Sequence, residues 1–209
     1  LARSAADLGV RGAPEPVGSA HCDLLEPQTF APALDRADEA LGGFDTLVIT
    51  AAQFASQDAL ERDATLRRKL LHADFAATIE LCEEARRRLL ARGGGTLCVF
   101  SSVAGERARK PVILYGAAKA GLSHYMDGLD LKFRAHGLRA VLVKPGFVRT
   151  GMTADLEPPP FAGAPEDVAA TVLRAIDRGT PVVYAPAVWR LVMAAIRLLP
   201  RAAMRRLDF

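Results

Sequence analysis

The chain has 209 residues, half of them hydrophobic and 6% aromatic, with a formal net charge of +3. That length suits one large domain rather than two, and the apolar content excludes a disordered chain. The mild charge gives no case for nucleic acid as a partner.

The elements alternate between strand and helix patterns. Residues 17–22 read as a short strand ending at Asp23-Leu24, and residues 28–41 as a helix closed by Gly42-Gly43. Residues 46–50 (TLVIT) form a β-rich run. A long helical region follows over about residues 58–92, with a break expected near Leu71. Residues 96–100 (TLCVF) predict a second buried strand. The pattern over 115–136 predicts a strong helix, with Leu122, Met126, Leu129 and Phe133 on one face and Gly137 at its end. Residues 139–144 give a third strand, stopped by Pro145-Gly146. A helix starts at Pro165, and a last strand covers 181–184. Strands apolar on both faces and separated by helices imply an α/β fold. We expect a doubly wound parallel sheet between two helical layers, Rossmann-like in three layers. Such sheets bind ligands at the carboxyl ends of their strands.

Cys22, Cys82 and Cys98 are odd in number and widely spaced, so neither a disulfide framework nor a metal site is expected. Cys82 and Cys98 read as small buried hydrophobes in a reducing, cytoplasmic setting. No apolar run approaches the ~20 residues of a membrane-spanning helix, and the opening residues do not read as a signal peptide.

Tyr115 and Lys119 lie four residues apart, one turn apart on one helix face. A nearby ammonium stabilises a phenolate, so the Tyr115 pKa is expected to fall from ~10 toward the range of a general acid/base. Ser102 ends an apolar strand 13 residues earlier and can polarise a substrate carbonyl. A proton donor and an oxygen-orienting group are two of the parts that carbonyl reduction needs; the third is a hydride donor.

The segments Ser101-Ser102-Val103-Ala104-Gly105, Tyr115-Gly-Ala-Ala-Lys119 and Lys144-Pro145-Gly146-Phe147-Val148-Arg149-Thr150 resemble, in order and spacing, the motifs of the short-chain dehydrogenase/reductase family. The resemblance covers nearly the whole chain. It implies an NAD- or NADP-dependent oxidoreductase interconverting a carbonyl and a secondary alcohol, with Tyr115 as proton donor and acceptor. It further implies that Lys119 lowers the Tyr115 pKa and holds the nicotinamide ribose, that Ser102 orients the substrate oxygen, and that Ser101 is structural. Pro145, Gly146, Val148 and Thr150 resemble the segment at the nicotinamide end, and Asp23-Leu24 the pair beside the adenine; a turn or helix-cap role is the competing reading of Asp23. The helices over 58–92 and 115–136 resemble the pair through which this family forms homo-oligomers.

Three departures stand out. The family's Asn-Asn-Ala-Gly motif appears as Ile49-Thr50-Ala51-Ala52, small enough for a cofactor to pass. The position of the family's catalytic Asn is matched by Asp74, which when ionised only accepts hydrogen bonds; a structural helix Asp competes with that reading. Gly9, Gly12 and Gly18 do not make a glycine-rich phosphate loop, and residues 1–12 resemble the helix that follows the family's second strand, so the first βαβ unit is expected to be missing and residues 1–209 to form a single, N-terminally incomplete domain. The alternative to an enzyme is a non-catalytic fragment or binding protein that has lost its cofactor.

Residues 151–164 are expected to cover the substrate, with Met152, Leu156 and Phe161 favouring an apolar one. Residues 189–206 form a basic amphipathic stretch within the tail 185–209, suited either to an anionic membrane surface at the inner face or to packing on its own core. Pro200 is expected to kink it or begin a second helix. Together with the 101–107 and 145–152 segments, the tail resembles the family's reductases of lipid-linked keto-pentoses, which implies a lipid-linked carbonyl substrate.

Overall fold

The computed structural model describes residue 8 and residues 10–12, 17–154 and 156–207. The helix expected over 1–12 lies outside the described residues, apart from residue 8 and residues 10–12. The sheet has four strands: β1 (Thr46–Ile49), β2 (Gly95–Phe100), β3 (Leu138–Pro145) and β4 (Val182–Ala185). They lie in that spatial order and all pair in parallel. Parallel neighbours need crossovers. These are supplied by α2 (Gln57–Arg62), α3 (Ala64–Leu71) and α4 (Thr78–Ala91) between β1 and β2, α5 (Ile113–Phe133) between β2 and β3, and α6 (Pro165–Arg178) between β3 and β4. The helix α1 (Phe30–Leu41) precedes β1, and α7 (Trp189–Leu198) and α8 (Arg201–Arg206) follow β4.

Alternation along the central strands makes the three layers. Leu97, Val99, Ala140 and Leu142 face one side, against Phe30 and Leu34 of α1, Leu81 and Leu89 of α4, and Leu122 and Met126 of α5. Cys98, Val141 and Val143 face the other side, against Val168, Val172 and Ala175 of α6. A two-sided core of this kind explains the continuous apolar runs of β2 and β3. Cys82 and Cys98 are buried within it, as small hydrophobes.

Three expectations change. Residues 17–22 form no strand; an isolated bridge joins Asp23 to Glu26 instead. In the doubly wound order 3-2-1-4-5-6 a third strand lies three places from the fourth, with two strands between them. With β1 at a sheet edge, no strand among the described residues lies where that segment would pair. Second, the helical region over 58–92 breaks at Asp63, whose carboxylate accepts from the Thr65 and Leu66 N–H groups at 2.8 and 3.0 Å and caps α3. Third, beyond Leu71 the helix is not broken but widens into a π-helical turn, His72–Ala77, before α4.

Pro200 does begin a second helix, as the N-cap of α8. The tail is pinned to the sheet by a buried cluster. Glu106 accepts from Lys144 Nζ of β3 at 2.9 Å and from the Tyr184 hydroxyl of β4, and it lies 3.7 Å from Arg197 of α7. Arg107 donates to the Leu199 carbonyl at 2.7 Å, and Met193 is fully buried.

Candidate active site

At the carboxyl ends of the strands lies a cavity of about 490 Å³. Ser102, Tyr115 and Lys119 line it, together with Thr50, Ala52, Pro145, Gly146, Val148 and Thr150. The first three arrive on two elements. Ser102 follows β2 and caps a short turn, accepting from the Ala104 N–H at 3.1 Å. That bond occupies a lone pair and leaves the hydroxyl proton free to be donated. Tyr115 and Lys119 project from the first turns of α5, with the Lys119 ammonium 5.7 Å from the Tyr115 ring centre. The Phe54 ring meets the Tyr115 ring edge-on at 5.3 Å, which limits the phenol's motion. Gly105 and Gly116 let the serine turn and α5 touch: a Cβ at Gly105 would lie 2.7 Å from the Lys119 carbonyl carbon, and one at Gly116 would lie 2.8 Å from the Ala104 oxygen.

Ser101 points the other way. Its hydroxyl donates to the Lys119 carbonyl at 2.9 Å and lies 2.7 Å from the Ser123 hydroxyl, which bonds the same carbonyl. It fixes α5 to the end of β2 from within the core.

Asp74 stands behind Lys119, fully buried. The π-helical turn carries it inward; such turns recur at functional sites. Thr78 satisfies the wide turn by donating to the Ala73 carbonyl at 2.7 Å. One Asp74 oxygen accepts from the Gln53 N–H at 2.7 Å, and the other lies 3.5 Å from Lys119 Nζ. Lys119 also donates to the Phe100 carbonyl at 3.4 Å. Burial pushes the Asp74 carboxyl up and the Lys119 ammonium down, and their mutual attraction opposes both shifts.

The pairing corrects an expectation. The Tyr115 pKa is not lowered but pushed up to about 12, by burial and then by the Asp74 carboxylate, against a hydrogen bond from Ser102. The Lys119 ammonium faces both the Asp74 carboxylate, at 3.5 Å, and the Tyr115 ring. Asp23 and Leu24 do not join the cavity lining. Asp23 closes a turn, accepting from the Leu25 N–H at 2.8 Å, and Leu24 packs on the core. Ala51 is exposed beside Ala52 and outside the lining. Met152 and Leu156 of the covering loop line the cavity; Phe161 does not, but its carbonyl accepts from the Trp189 indole at 3.2 Å.

The short chain dehydrogenase family profile matches residues 5–160. An uncharacterised oxidoreductase of Mycobacterium tuberculosis is 37% identical over 166 residues, covering 79% of this chain and 67% of that protein. The chain belongs to the short-chain dehydrogenase family. A Streptomyces coelicolor oxidoreductase is 32% identical over 216 residues, covering 99% of this chain and 81% of its own. A Xenopus laevis protein, carbonyl reductase family member 4, is 29% identical over 73% of this chain and 68% of its own. The fold matches a short-chain dehydrogenase/reductase structure from Mycobacterium ulcerans with a TM-score of 0.77 at 22% identity, over 88% of this chain and 74% of that one. The protein is thus an oxidoreductase of the class that acts on carbonyl and CH–OH groups.

Members of this family typically work with NAD or NADP. At the nicotinamide end the residues fit. Ala52, Thr150 and Lys119 line one cavity with Gly146, which packs against the Trp189 indole, and the second Asp74 oxygen behind Lys119 is buried without a hydrogen bond. Asp23 and Leu24 lie outside this cavity. Three lining residues, Phe54, Arg109 and Trp189, are not among the site residues the sequence points to. Arg109 carries no local signal that separates it from Arg107 or Lys110, and Trp189 reaches the site from 70 residues beyond Lys119.

Proposed function

We propose that the chain reduces a ketone or aldehyde to an alcohol, or runs the reverse reaction, with Tyr115 as proton donor, Ser102 as carbonyl-orienting group and Lys119 as the cation behind the phenol. The carrying observation is the convergence of Ser102, Tyr115 and Lys119 on one cavity beside Pro145-Gly146. In the reduction the hydride for the carbonyl carbon would come from NADH or NADPH held beside Lys119 and Pro145-Gly146, and in the reverse reaction NAD or NADP would accept it. The Ser102 hydroxyl, its oxygen already held by Ala104, donates to the carbonyl oxygen and draws electron density toward it. Tyr115 O–H gives its proton to the same oxygen. The pKa of about 12 keeps the phenol protonated at neutral pH, ready to donate. Lys119 stabilises the phenolate left behind, and Asp74, which touches neither substrate nor cavity, positions Lys119. The carbonyl reductase relative is consistent with this reading.

The test is ketone-dependent oxidation of NADH or NADPH, followed at 340 nm. Replacement of Tyr115 by Phe should cut turnover by ~10²–10⁴ and leave the melting temperature unchanged. Full activity in Tyr115→Phe would sink the assignment; an absence of turnover with a wide ketone panel would favour a binding protein that retains only the fold.

A lipid-linked keto sugar is the finer reading of the substrate. The cavity wall is largely apolar, and exposed Leu191 and Leu198 stand beside exposed Arg190, Arg201 and Arg205 on α7 and α8, a pattern suited to an anionic bilayer surface. Among the described residues no helix is long and apolar enough to cross a membrane. Because Trp189 lines the cavity, deletion of the tail would confound the test. Leu191→Ser/Leu198→Ser is cleaner. The parent chain should co-sediment with phosphatidylglycerol vesicles and the double variant should not; a parent that stays in the supernatant removes this reading. Homo-oligomerisation through α4 and α5 belongs to the same family-based reading, and sedimentation velocity reads it directly.

A further inference from the structure

The substrate cavity contains a second cation, and it is not used by the proton-transfer groups. Arg109 lies in the loop between the serine turn and α5, six residues before Tyr115. It lines the same cavity as Ser102 and Tyr115. Its Nε is buried and has no hydrogen-bond partner. Among the described residues no carboxylate forms an ion pair with it, whereas Arg36, Arg86, Arg88, Arg134 and Arg197 each have one. The other cation in the cavity, Lys119, is committed to Asp74.

Position and surroundings set Arg109 apart from an ordinary surface arginine. The short turn Lys110–Val112 follows it directly, and the Leu114 N–H just beyond donates to the Gln57 side chain at 3.1 Å, so its backbone is held. The wall around it is apolar, built from Phe54, Val112, Met152, Leu156 and Trp189. A buried N–H without an acceptor is costly, and a cation against apolar walls attracts an anion more strongly than it would in open water. Burial alone weakens the hold of this guanidinium on its proton, and a bound anion would offset that cost.

We propose that Arg109 is a specificity residue that recognises a carboxylate or phosphate group on an otherwise apolar carbonyl substrate. The planar guanidinium fork matches the paired oxygens of either anion. The substrate would then lie with its carbonyl at Ser102 and Tyr115, its anionic group at Arg109 and its apolar part against the covering loop. This rests on the reading of the cavity as the substrate site, but its test requires no turnover.

Trp189 is the chain's single tryptophan and lines the cavity, so its fluorescence reports occupancy. The full chain is titrated with octanoate, octyl phosphate and 2-octanone. At least one anion should bind about 10- to 100-fold more tightly than 2-octanone, as expected for a charge-assisted hydrogen bond, and the better of the two identifies the group. Arg109→Leu should abolish the difference while still binding 2-octanone, which shows the cavity intact. Arg109→Lys should retain part of the preference. Tyr115→Phe should retain all of it, so that failure of the reductase reading and failure of this one are distinguishable. Equal binding of all three probes, no saturable response to either anion, or an undiminished preference in Arg109→Leu would overturn the proposal. So would an Arg109→Leu variant that loses NADPH affinity and keeps its preference for octanoate, since Arg109 would then serve the dinucleotide.

Discussion

Asp74 shows what one atom can change. An Asn at its place would present a neutral amide to Lys119 and leave the ammonium free to act on Tyr115. The carboxylate, 3.5 Å from Lys119 Nζ, absorbs that charge and adds its own repulsion toward a phenolate. Alcohol oxidation requires Tyr115 as phenolate, so its rate should climb with pH toward the pKa of about 12. Reduction requires the phenol and should stay level across the neutral range. Asp74→Asn removes a like charge, and the alkaline limb of oxidation should move down by about 1–3 pH units. A limb that stays in place would show that Asp74 does not control the phenol. From the sequence, Tyr115, Lys119 and Ser102 were legible through their spacing and strand-end position. The direction of the Tyr115 shift was not, because it depends on a carboxylate 41 residues away that only the fold sets behind Lys119.

Elements carry these residues into contact, and their placement tolerates little. The serine turn and α5 meet backbone to backbone at Gly105, where a Cβ would lie 2.7 Å from both the Lys119 carbonyl carbon and the Ala120 nitrogen. Backbone atoms cannot swing aside as a flexible side chain can. Gly105→Ala should therefore push α5 away from β2, costing about 1–3 kcal/mol of stability and reducing turnover more than cofactor binding. Thermal melting with matched kinetics reads both; unaltered turnover would show that α5 can shift without moving Tyr115. The helix starts at Asp63 and Pro165 and the ends at Gly42 and Gly137 follow from capping chemistry within a few residues. The π-helical turn at His72–Ala77 does not: its register is decided by what Asp74 and Thr78 meet in the core.

Across the molecule, the tail is joined to the site through Glu106. Its carboxylate gathers β3, β4 and α7 through Lys144, Tyr184 and Arg197, while Trp189 of α7 forms part of the cavity wall. Burial raises the Glu106 pKa, but the hydrogen bonds from Tyr184 and Lys144 outweigh it, so the net shift is downward. A depressed carboxyl contributes stability above its unfolded pKa, ~4.3 for Glu, and loses it as pH falls through the folded value. Glu106→Ala leaves the mostly buried Lys144 without its carboxylate and should cost about 3–5 kcal/mol at neutral pH, with a flatter acid limb of unfolding than the parent. Denaturant unfolding at pH 7 and pH 4 checks this; equal stability of the two proteins at pH 7 would show that the cluster does not hold the tail.

By itself the sequence pointed to the parallel α/β architecture, to the alternation of buried strands and covering helices, and to Ser102, Tyr115 and Lys119, which the fold brings to one cavity. Those properties depend on patterns of 2 and 3.6 residues and on motifs a few residues long. Tertiary structure alone decided that residues 17–22 form no strand, that Asp23 closes a turn, that Asp74 lies 3.5 Å from Lys119 Nζ, and that Arg109 and Trp189 face the cavity. Each of these outcomes depends on a partner distant in the chain, or on the lack of one, and local spacing does not encode which distant groups the packed core brings within a few ångströms.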